Sequence, residues 1–308
     1  MLTKDILDIL PNAIKKEIQS CNKLDKVQEF RVKANKPLFL ICDNKELRFN
    51  YICTLEDIKI ILQRMSNYSI YAFEDEIKQG YITIQGGHRV GLCGSCVLDK
   101  SSIKTIKNIS SINIRVAREV VGCGGKILPY IINDNRIHNT IIISPPKCGK
   151  TTILRDLVRL ISDGVPNLNL LGKSVSVIDE RSEIGACFRG MPQMNIGVRT
   201  DILDGCPKSE GIVMAIRSMA PEVIVCDEIG TYKDMESIIL ALNSGVSLIT
   251  TIHGFDTEDL YRRPVFKEVL ENKVFSRAIV LSNRRGIGTI EYIYDFTKGE
   301  KVRREVCD

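Results

Sequence analysis

The chain has 308 residues, of which 44% are hydrophobic and 26% are charged, and its formal net charge is +5. This composition is that of a globular protein with enough residues for two domains, and it excludes a low-complexity chain. The eleven cysteines have no regular spacing and no apolar run approaches the ~20 residues of a membrane span, which favours a reducing, cytoplasmic compartment.

Charge is unevenly distributed along the chain. Residues 1–118 contain 19 basic and 13 acidic residues, a net charge of +6, whereas residues 119–308 contain 24 and 25, a net charge of −1. A basic surface of this kind faces nucleic acid, anionic lipid or an acidic protein. A solvated surface with an excess of lysine is the plainer interpretation, and the sequence leaves both open.

The first part of the chain combines helix and strand patterns. Apolar residues at helical spacing predict a helix over residues 1–20. Thr54, followed by Asp57 three residues later, predicts the capped start of a second helix. Strand patterns occupy residues 26–50, 80–99 and 111–119, the second of them with a Gly86-Gly87 turn. We therefore expect a smaller α+β domain over residues 1–121.

The second part alternates apolar strands with helices. Strand patterns occupy residues 139–144, 175–179, 222–228 and 247–252. Helix patterns lie between them, at residues 149–164, 209–220 and 234–245. Continuous apolar strands that alternate with helices are typical of a parallel sheet covered on both faces. We therefore predict an α/β domain with a parallel central sheet over residues 122–308, which ends in a hairpin turning at Lys298-Gly299.

The stretch SPPKCGKTT, residues 144–152, predicts a phosphate-binding loop between a strand and a helix. Lys150 would reach the β- and γ-phosphates of ATP, and the Thr151 hydroxyl would bind Mg²⁺. Ser144 replaces the first glycine of the usual pattern, which serine can do if its φ angle stays negative. The predicted nucleotide-binding residues are Ser144, Pro145, Pro146, Lys147, Cys148, Gly149, Lys150, Thr151 and Thr152.

Two carboxylates end the apolar strand over residues 222–228. Asp227 is predicted to hold Mg²⁺ through water, and Glu228 to orient or deprotonate the attacking water. Acidic capping residues at an ordinary strand-to-helix loop would give the same pattern, but the phosphate-binding loop makes the catalytic interpretation the stronger one.

Two further strand ends carry polar residues. Thr250, Thr251 and His253 end the strand at residues 247–252, where side chains reach the ligand crevice of such sheets and can sense a γ-phosphate. Four charged residues between Asp179 and Glu183 lie at the end of the strand at residues 175–179. They are suited to contact a metal ion, a water molecule or a neighbouring subunit. A capping histidine and a solvated loop are the structural alternatives.

Six stretches carry a family resemblance. They are GYITIQGGHRVGLCG, SINIRVARE, PPKCGKTTILRDLVR, VIDERSEIGAC, GVRTDILDGCPKSEGIVMAIRSMAPEVIVCDEIG and ITTIHG. In them the chain resembles the stage III sporulation AA family, within the type II/type IV secretion ATPase superfamily of P-loop ATPases. The resemblance covers nearly the whole chain, and it departs from the pattern at Ser144 and at Lys147-Cys148.

The resemblance implies a hexameric ring ATPase on the mother-cell side of the channel that joins mother cell and forespore. It matches the acidic segment of secretion ATPases to Asp179–Glu183 and the histidine segment to His253. Arginines from a neighbouring region reach the phosphates in these proteins, and the candidates are Arg115, Arg118, Arg199 and Arg217. The predicted catalytic residues are Lys150, Glu180, Glu183, Arg217, Glu228 and His253.

The loop and its carboxylates predict an ATP hydrolase that uses ATP and Mg²⁺ and forms a homo-oligomer, and the resemblance implies that it acts on membrane proteins of a sporulation channel. Neither a stable nucleic-acid partner nor direct membrane insertion is expected. Two alternatives stay open. One is a ring motor stimulated by nucleic acid, which the basic first part allows. The other is a structural ring that binds nucleotide with little turnover, which the replaced glycine at Ser144 allows.

Overall fold

The computed structural model describes residues 4–19, 21, 24–43, 45–67, 69, 73–78, 80–99 and 102–304. The chain divides into two compact units. One comprises residues 1–118 and 186–193, and the other comprises residues 119–185 and 194–308. Nothing in the sequence marked residues 186–193 as part of the first unit. In the part of the chain described, no helix is both long and apolar enough to cross a membrane.

The first unit is an antiparallel sheet with short helices, as the α+β prediction requires. Its elements in chain order are α1 (Lys4–Ile9), α2 (Asn12–Ile18), β1 (Val27–Lys33), β2 (Pro37–Cys42), β3 (Lys45–Ile52), α3 (Leu55–Met65), α4 (Glu74–Lys78), β4 (Tyr81–Ile84), β5 (His88–Asp99) and β6 (Ser102–Arg115). The six strands lie in the order β3-β2-β1-β6-β5-β4, and every neighbouring pair is antiparallel.

Local chemistry explains how these elements begin and end. The Thr54 hydroxyl accepts the backbone N–H of Asp57, and the Asp57 carboxylate accepts the N–H of Thr54, so the predicted capping box starts α3. The prediction of one continuous helix over residues 1–20 is wrong for the residues that the structure describes. Pro11, which lacks an N–H and has a ψ of 150°, separates α1 from α2.

The second unit is built around a large mixed sheet. Its elements are α5 (Leu128–Ile131), β7 (Ile132–Asn133), β8 (Arg136–Ile137), β9 (Thr140–Ser144), α6 (Lys150–Asp163), β10 (Val175–Asp179), β11 (Thr200–Asp204), α7 (Lys208–Ser218), β12 (Val223–Glu228), α8 (Tyr232–Asn243), β13 (Ser247–His253), α9 (Glu258–Tyr261), α10 (Lys267–Glu271), β14 (Arg277–Ser282), β15 (Thr289–Asp295) and β16 (Glu300–Arg304).

Eight strands form this sheet in the order β11-β10-β12-β13-β9-β14-β15-β16. The first six are mutually parallel, and the predicted C-terminal hairpin of β15 and β16 adds two antiparallel strands at one edge. The sequence reasoning missed β11 and β14. β11 is a half-exposed edge strand without a continuous apolar run, whereas β14 has a buried apolar run like those of the strands that were predicted.

Both faces of the parallel strands are covered, as predicted. Ile142 packs with Ile153 and Leu157 of α6 in one apolar cluster. Its neighbours in the strand, Ile141 and Ile143, pack in a second cluster with residues of α7 and α8. Side chains of a strand alternate between faces, so β9 is fixed between two helical layers. Its carboxyl end, Ser144, therefore lies at the same sheet edge as the carboxyl ends of β12 and β13.

Candidate functional site

A cavity of about 430 Å³ lies at the carboxyl ends of β9, β12 and β13. Its size suits a small ligand. It is lined by Pro146, Lys147, Gly149, Lys150, Thr151, Thr152, Arg181, Glu183, Asp227, Glu228, Thr251, His253 and Ile287. A larger cavity of about 700 Å³ lies where β9, β13 and β14 begin, and no carboxylate lines it. Because open parallel sheets bind ligands at the carboxyl ends of their strands, we take the smaller cavity as the candidate site.

The loop between β9 and α6 has the backbone of an anion site. Gly149 has a φ of 85° just before the first turn of α6, and Lys147 has a φ of 61°. The left-handed φ favours glycine at position 149, and a Cβ there would also lie 2.8 Å from Cγ2 of Ile287, so that this exposed side chain would have to shift. Ser144 is fully buried and has no positive φ, so it meets the backbone condition under which serine can replace glycine.

Lys150, the first residue of α6, turns back into the loop. Its Nζ donates to the carbonyl oxygens of Ser144 at 3.0 Å and Pro145 at 3.3 Å, and lies 2.7 Å from Nδ1 of His253. Burial lowers the pKa of the Lys150 ammonium, and the charge of Glu228 opposes that shift. All three of its donor positions thus have acceptors within the protein, and a phosphate would have to replace them.

His253 joins Lys150 to the predicted catalytic carboxylate. Its Nε2 lies 3.2 Å from Oε2 of Glu228, on the side of the ring opposite the Lys150 ammonium. An ammonium only donates, so Nδ1 must accept and the ring proton of the neutral histidine must be on Nε2. Lys150 thus donates to His253, and the other ring nitrogen of His253 faces the Glu228 carboxylate at 3.2 Å.

Asp227 and Glu180 share a cation that the sequence did not predict. Lys208, at the start of α7, donates to Glu180 and lies 3.2 Å from Oδ1 of Asp227. Burial raises the pKa of Asp227 to about 6, although Lys208 opposes that shift. Burial also favours the neutral amine of Lys208, but the hydrogen bond with Glu180 and the charge of Asp227 raise its pKa.

Asp179 fixes the acidic segment rather than facing a ligand. Its fully buried carboxylate accepts the backbone N–H groups of Glu183, Ile184 and Gly185 at 2.8 to 2.9 Å. Arg155 of α6 holds the same loop by donating to the carbonyl oxygens of Ile184 and Glu183. The loop therefore holds Glu183 and Arg181 at the cavity wall.

The structure brings most of the predicted loop residues to the cavity, but three lie behind it. Ser144 and Pro145 supply carbonyl oxygens to Lys150, and Cys148 is buried with its thiol directed at the carbonyl of Pro146. Of the predicted catalytic residues, Glu180 and Arg217 do not line the cavity. Glu180 is paired with Lys208 beside it.

Two of the candidate arginines, Arg199 and Arg217, belong to the same unit as the cavity and do not line it. Arg217 is exposed near the end of α7, about 13 Å along the helix axis from Lys208. Arg199 donates to the carbonyl oxygen of Ser162. In the first unit, Arg118 donates to the carbonyl oxygens of Asp25 and Val27, and Arg115 is an exposed partner of Glu29.

The oxygen donors of the cavity fit Mg²⁺. Thr151 offers a hydroxyl and Asp227 a buried carboxylate, and Mg²⁺ is bound in proteins by one or two such ligands together with water and phosphate. Among the residues described, no three His, Cys, Asp or Glu side chains form a metal site by themselves. Thr151 and Asp227 are therefore suited to a cation that arrives with a phosphate ligand.

The fold is that of the secretion ATPases. The chain superposes on the DotB ATPase of Yersinia pseudotuberculosis with a TM-score of 0.62 at 13% identity, covering 94% of this chain and 81% of that one. It superposes on the pilus retraction motor PilT, solved with bound ADP, with a TM-score of 0.57 at 14% identity, covering 87% and 76%. Both likenesses are of fold alone.

Sequence relationships narrow this class to one family. The family model described as "Sporulation stage III, protein AA" matches residues 2–302, and the chain belongs to that family. It is 43% identical to stage III sporulation protein AA of Bacillus subtilis (strain 168) over 293 residues, 94% of each chain. The resemblance inferred from the sequence and the predicted fold class are thereby confirmed.

Proposed function

We propose that this protein is a Mg²⁺-dependent ATPase that works as a ring motor on a transport or assembly channel during sporulation. The observation that carries the proposal is the convergence of Lys150, Thr151, Glu228 and His253 on one cavity beside a glycine-dependent loop. These side chains supply a phosphate-binding cation, a hydroxyl for the metal and a carboxylate for the attacking water. Membership of the sporulation family supports the cellular setting.

In this proposal the loop binds the β- and γ-phosphates through backbone N–H groups and the start of α6. Lys150 exchanges its carbonyl and histidine partners for phosphate oxygens, and His253 is then free to turn toward the γ-phosphate. Glu228 accepts a proton from the attacking water or orients it. Thr151 and Asp227 would hold Mg²⁺, which would neutralise charge on the phosphates.

Steady-state phosphate release by the purified protein tests this directly. Lys150→Ala should abolish ATP binding and hydrolysis because it removes the ammonium that the loop carbonyls of Ser144 and Pro145 hold at the cavity. Lys298→Ala, which changes an exposed lysine in the turn between β15 and β16, is the matched control and should leave the rate unchanged. Hydrolysis by the Lys150→Ala variant at the parental rate would exclude this cavity as the active site.

The proposed assembly is a closed homo-oligomer, most simply a hexamer. Arg217 is exposed and does not line the cavity of its own subunit, which suits a contact with the phosphates of a neighbour. ATP and Mg²⁺ should then promote assembly, and Arg217→Ala should weaken it. Light scattering at micromolar concentration measures the mass, and a monomer that retains full ATPase activity would contradict both the ring and the arginine contact.

The proposed position is the mother-cell side of the channel, where the +6 charge of residues 1–118 would meet membrane partners. A ring that binds nucleotide with little turnover is the second candidate. The observation in its favour is that Glu228 and Asp227 both have protein partners, His253 and Lys208 respectively. Tight ATP binding without phosphate release, with or without added nucleic acid, would favour this second candidate.

A further inference from the structure

Ile287 is an exposed apolar side chain in a cavity that is otherwise mainly polar. It lies in the turn between β14 and β15, and 77% of its surface is accessible. Apart from Pro146 and Gly149, the other residues lining the cavity are polar or charged. The fold leaves a large aliphatic side chain open to solvent at a ligand site, although the sheet beside it buries nearly all of its isoleucines.

The turn that carries Ile287 is fixed against the phosphate-binding loop. Gly286 and Gly288, on either side of Ile287, have φ angles of 122° and 85°, which few other residues adopt. The backbone N–H of Gly288 donates to the carbonyl oxygen of Cys148 at 3.1 Å. The Thr289 hydroxyl closes the turn by donating to the carbonyl of Gly286 at 2.7 Å. Ile287 is therefore presented to the cavity by a backbone that is held in place.

The strand order determines which end of a nucleotide would lie near Ile287. Strands β12 and β13, which carry Glu228 and His253, lie on one side of β9, and β14 lies on the other side. If the γ-phosphate faces Glu228, as in the proposed function on which this inference rests, the cavity leaves room for the rest of the nucleotide on the side of the loop where Ile287 lies. The base then arrives beside the turn that follows β14.

We infer that Ile287 is the base-contacting residue of the site and that one face of the nucleotide base packs on it. An aliphatic contact of this kind holds any flat ring without reading its hydrogen-bonding edges. It therefore contributes to nucleotide affinity and little to the choice between adenine and guanine.

The experiment compares ATP with inorganic tripolyphosphate, which has the phosphates and lacks the base. Dissociation constants are measured by calorimetry for the parent, Ile287→Ala, Ile287→Leu and the control Val198→Ala, which shortens an apolar side chain that is 83% exposed and outside the cavity. Ile287→Ala should weaken the binding of ATP and GTP about fivefold to tenfold, which corresponds to the loss of apolar contact from one to two methylene groups. The affinity for tripolyphosphate should be unchanged. Ile287→Leu should restore most of the affinity.

Two results would overturn the inference while leaving the proposed function intact. An equal loss for ATP and tripolyphosphate would mean that Ile287 only supports Gly149 and the loop. No loss for either ligand would mean that the base lies elsewhere. A parent protein that binds neither ligand would refute the proposed function itself, and the base contact with it.

Discussion

The buried Asp227 carboxylate makes the stability of the protein depend on pH in an unusual direction. Its pKa is about 6 in the folded protein and near 3.8 in the unfolded chain, because burial penalises the ionised form. The folded state therefore holds the proton more tightly than the unfolded state does. The contribution of Asp227 to the unfolding free energy is greatest below pH 4 and is lost as the pH rises through 6.

The magnitude follows from the size of the shift. Raising the pKa of Asp227 from 3.8 to about 6 lowers the unfolding free energy by about 3 kcal/mol in total by pH 8. About half of this loss develops between pH 5 and pH 8. Asp227→Asn keeps the shape of the side chain and removes the titration. Relative to the parent, this variant should gain about 1 kcal/mol of unfolding free energy on going from pH 5 to pH 8.

Urea unfolding followed by circular dichroism at several pH values, with EDTA present to remove divalent cations, measures this difference. Asp201→Asn, at an exposed position of β11, controls for the removal of a solvated carboxylate. A stability difference between parent and Asp227→Asn that is constant from pH 5 to pH 8, or that falls with pH, would refute the account of Asp227.

Three other predictions concern the site and its supports. Lys208→Met leaves Asp227 without its cation and should lower the unfolding free energy by about 2 to 4 kcal/mol, allowing for the partial exposure of Glu180. Lys208→Arg should retain most of the stability, and equal losses in the two variants would contradict a charge-based role. Gly149→Ala should lower the unfolding free energy by about 1 to 2 kcal/mol, because alanine is strained at a φ of 85°, and should prevent nucleotide binding. Normal ATP affinity in this variant would show that binding does not depend on this loop geometry. Thr54→Ala should cost about 1 kcal/mol of stability through the lost cap of α3 and leave ATP binding unchanged, and thermal unfolding with a binding titration checks both.

The elements with strong periodicity were predictable from the sequence. The continuous apolar run before Ser144 and the helical stripe after Gly149 are dictated by local burial, and so the strand, loop and helix of the site were predicted in the right order. The capping box at Thr54 was predictable for the same reason, because both of its partners lie within four residues.

The rest of the site depends on contacts between distant parts of the chain. Lys208 reaches Glu180 and Asp227 only because α7 starts beside the ends of β10 and β12, and no local pattern indicates that pairing. Ile287 meets Gly149 only after β14 has joined the sheet beside β9. The assignment of residues 186–193 to the first unit likewise follows from tertiary packing and has no signal in composition.

The role of Glu228 gives the central claim its most direct test, because Glu228 is the carboxylate assigned to the chemical step. ATP binding and phosphate release are measured side by side for the parent and Glu228→Gln, which keeps the shape of the side chain and removes the base. We predict an unchanged dissociation constant for ATP and a rate lower by about two to four orders of magnitude, the range for loss of a general base. A Glu228→Gln variant that releases phosphate at the parental rate would contradict the account and move the catalytic role to another carboxylate, such as Glu183 at the cavity wall.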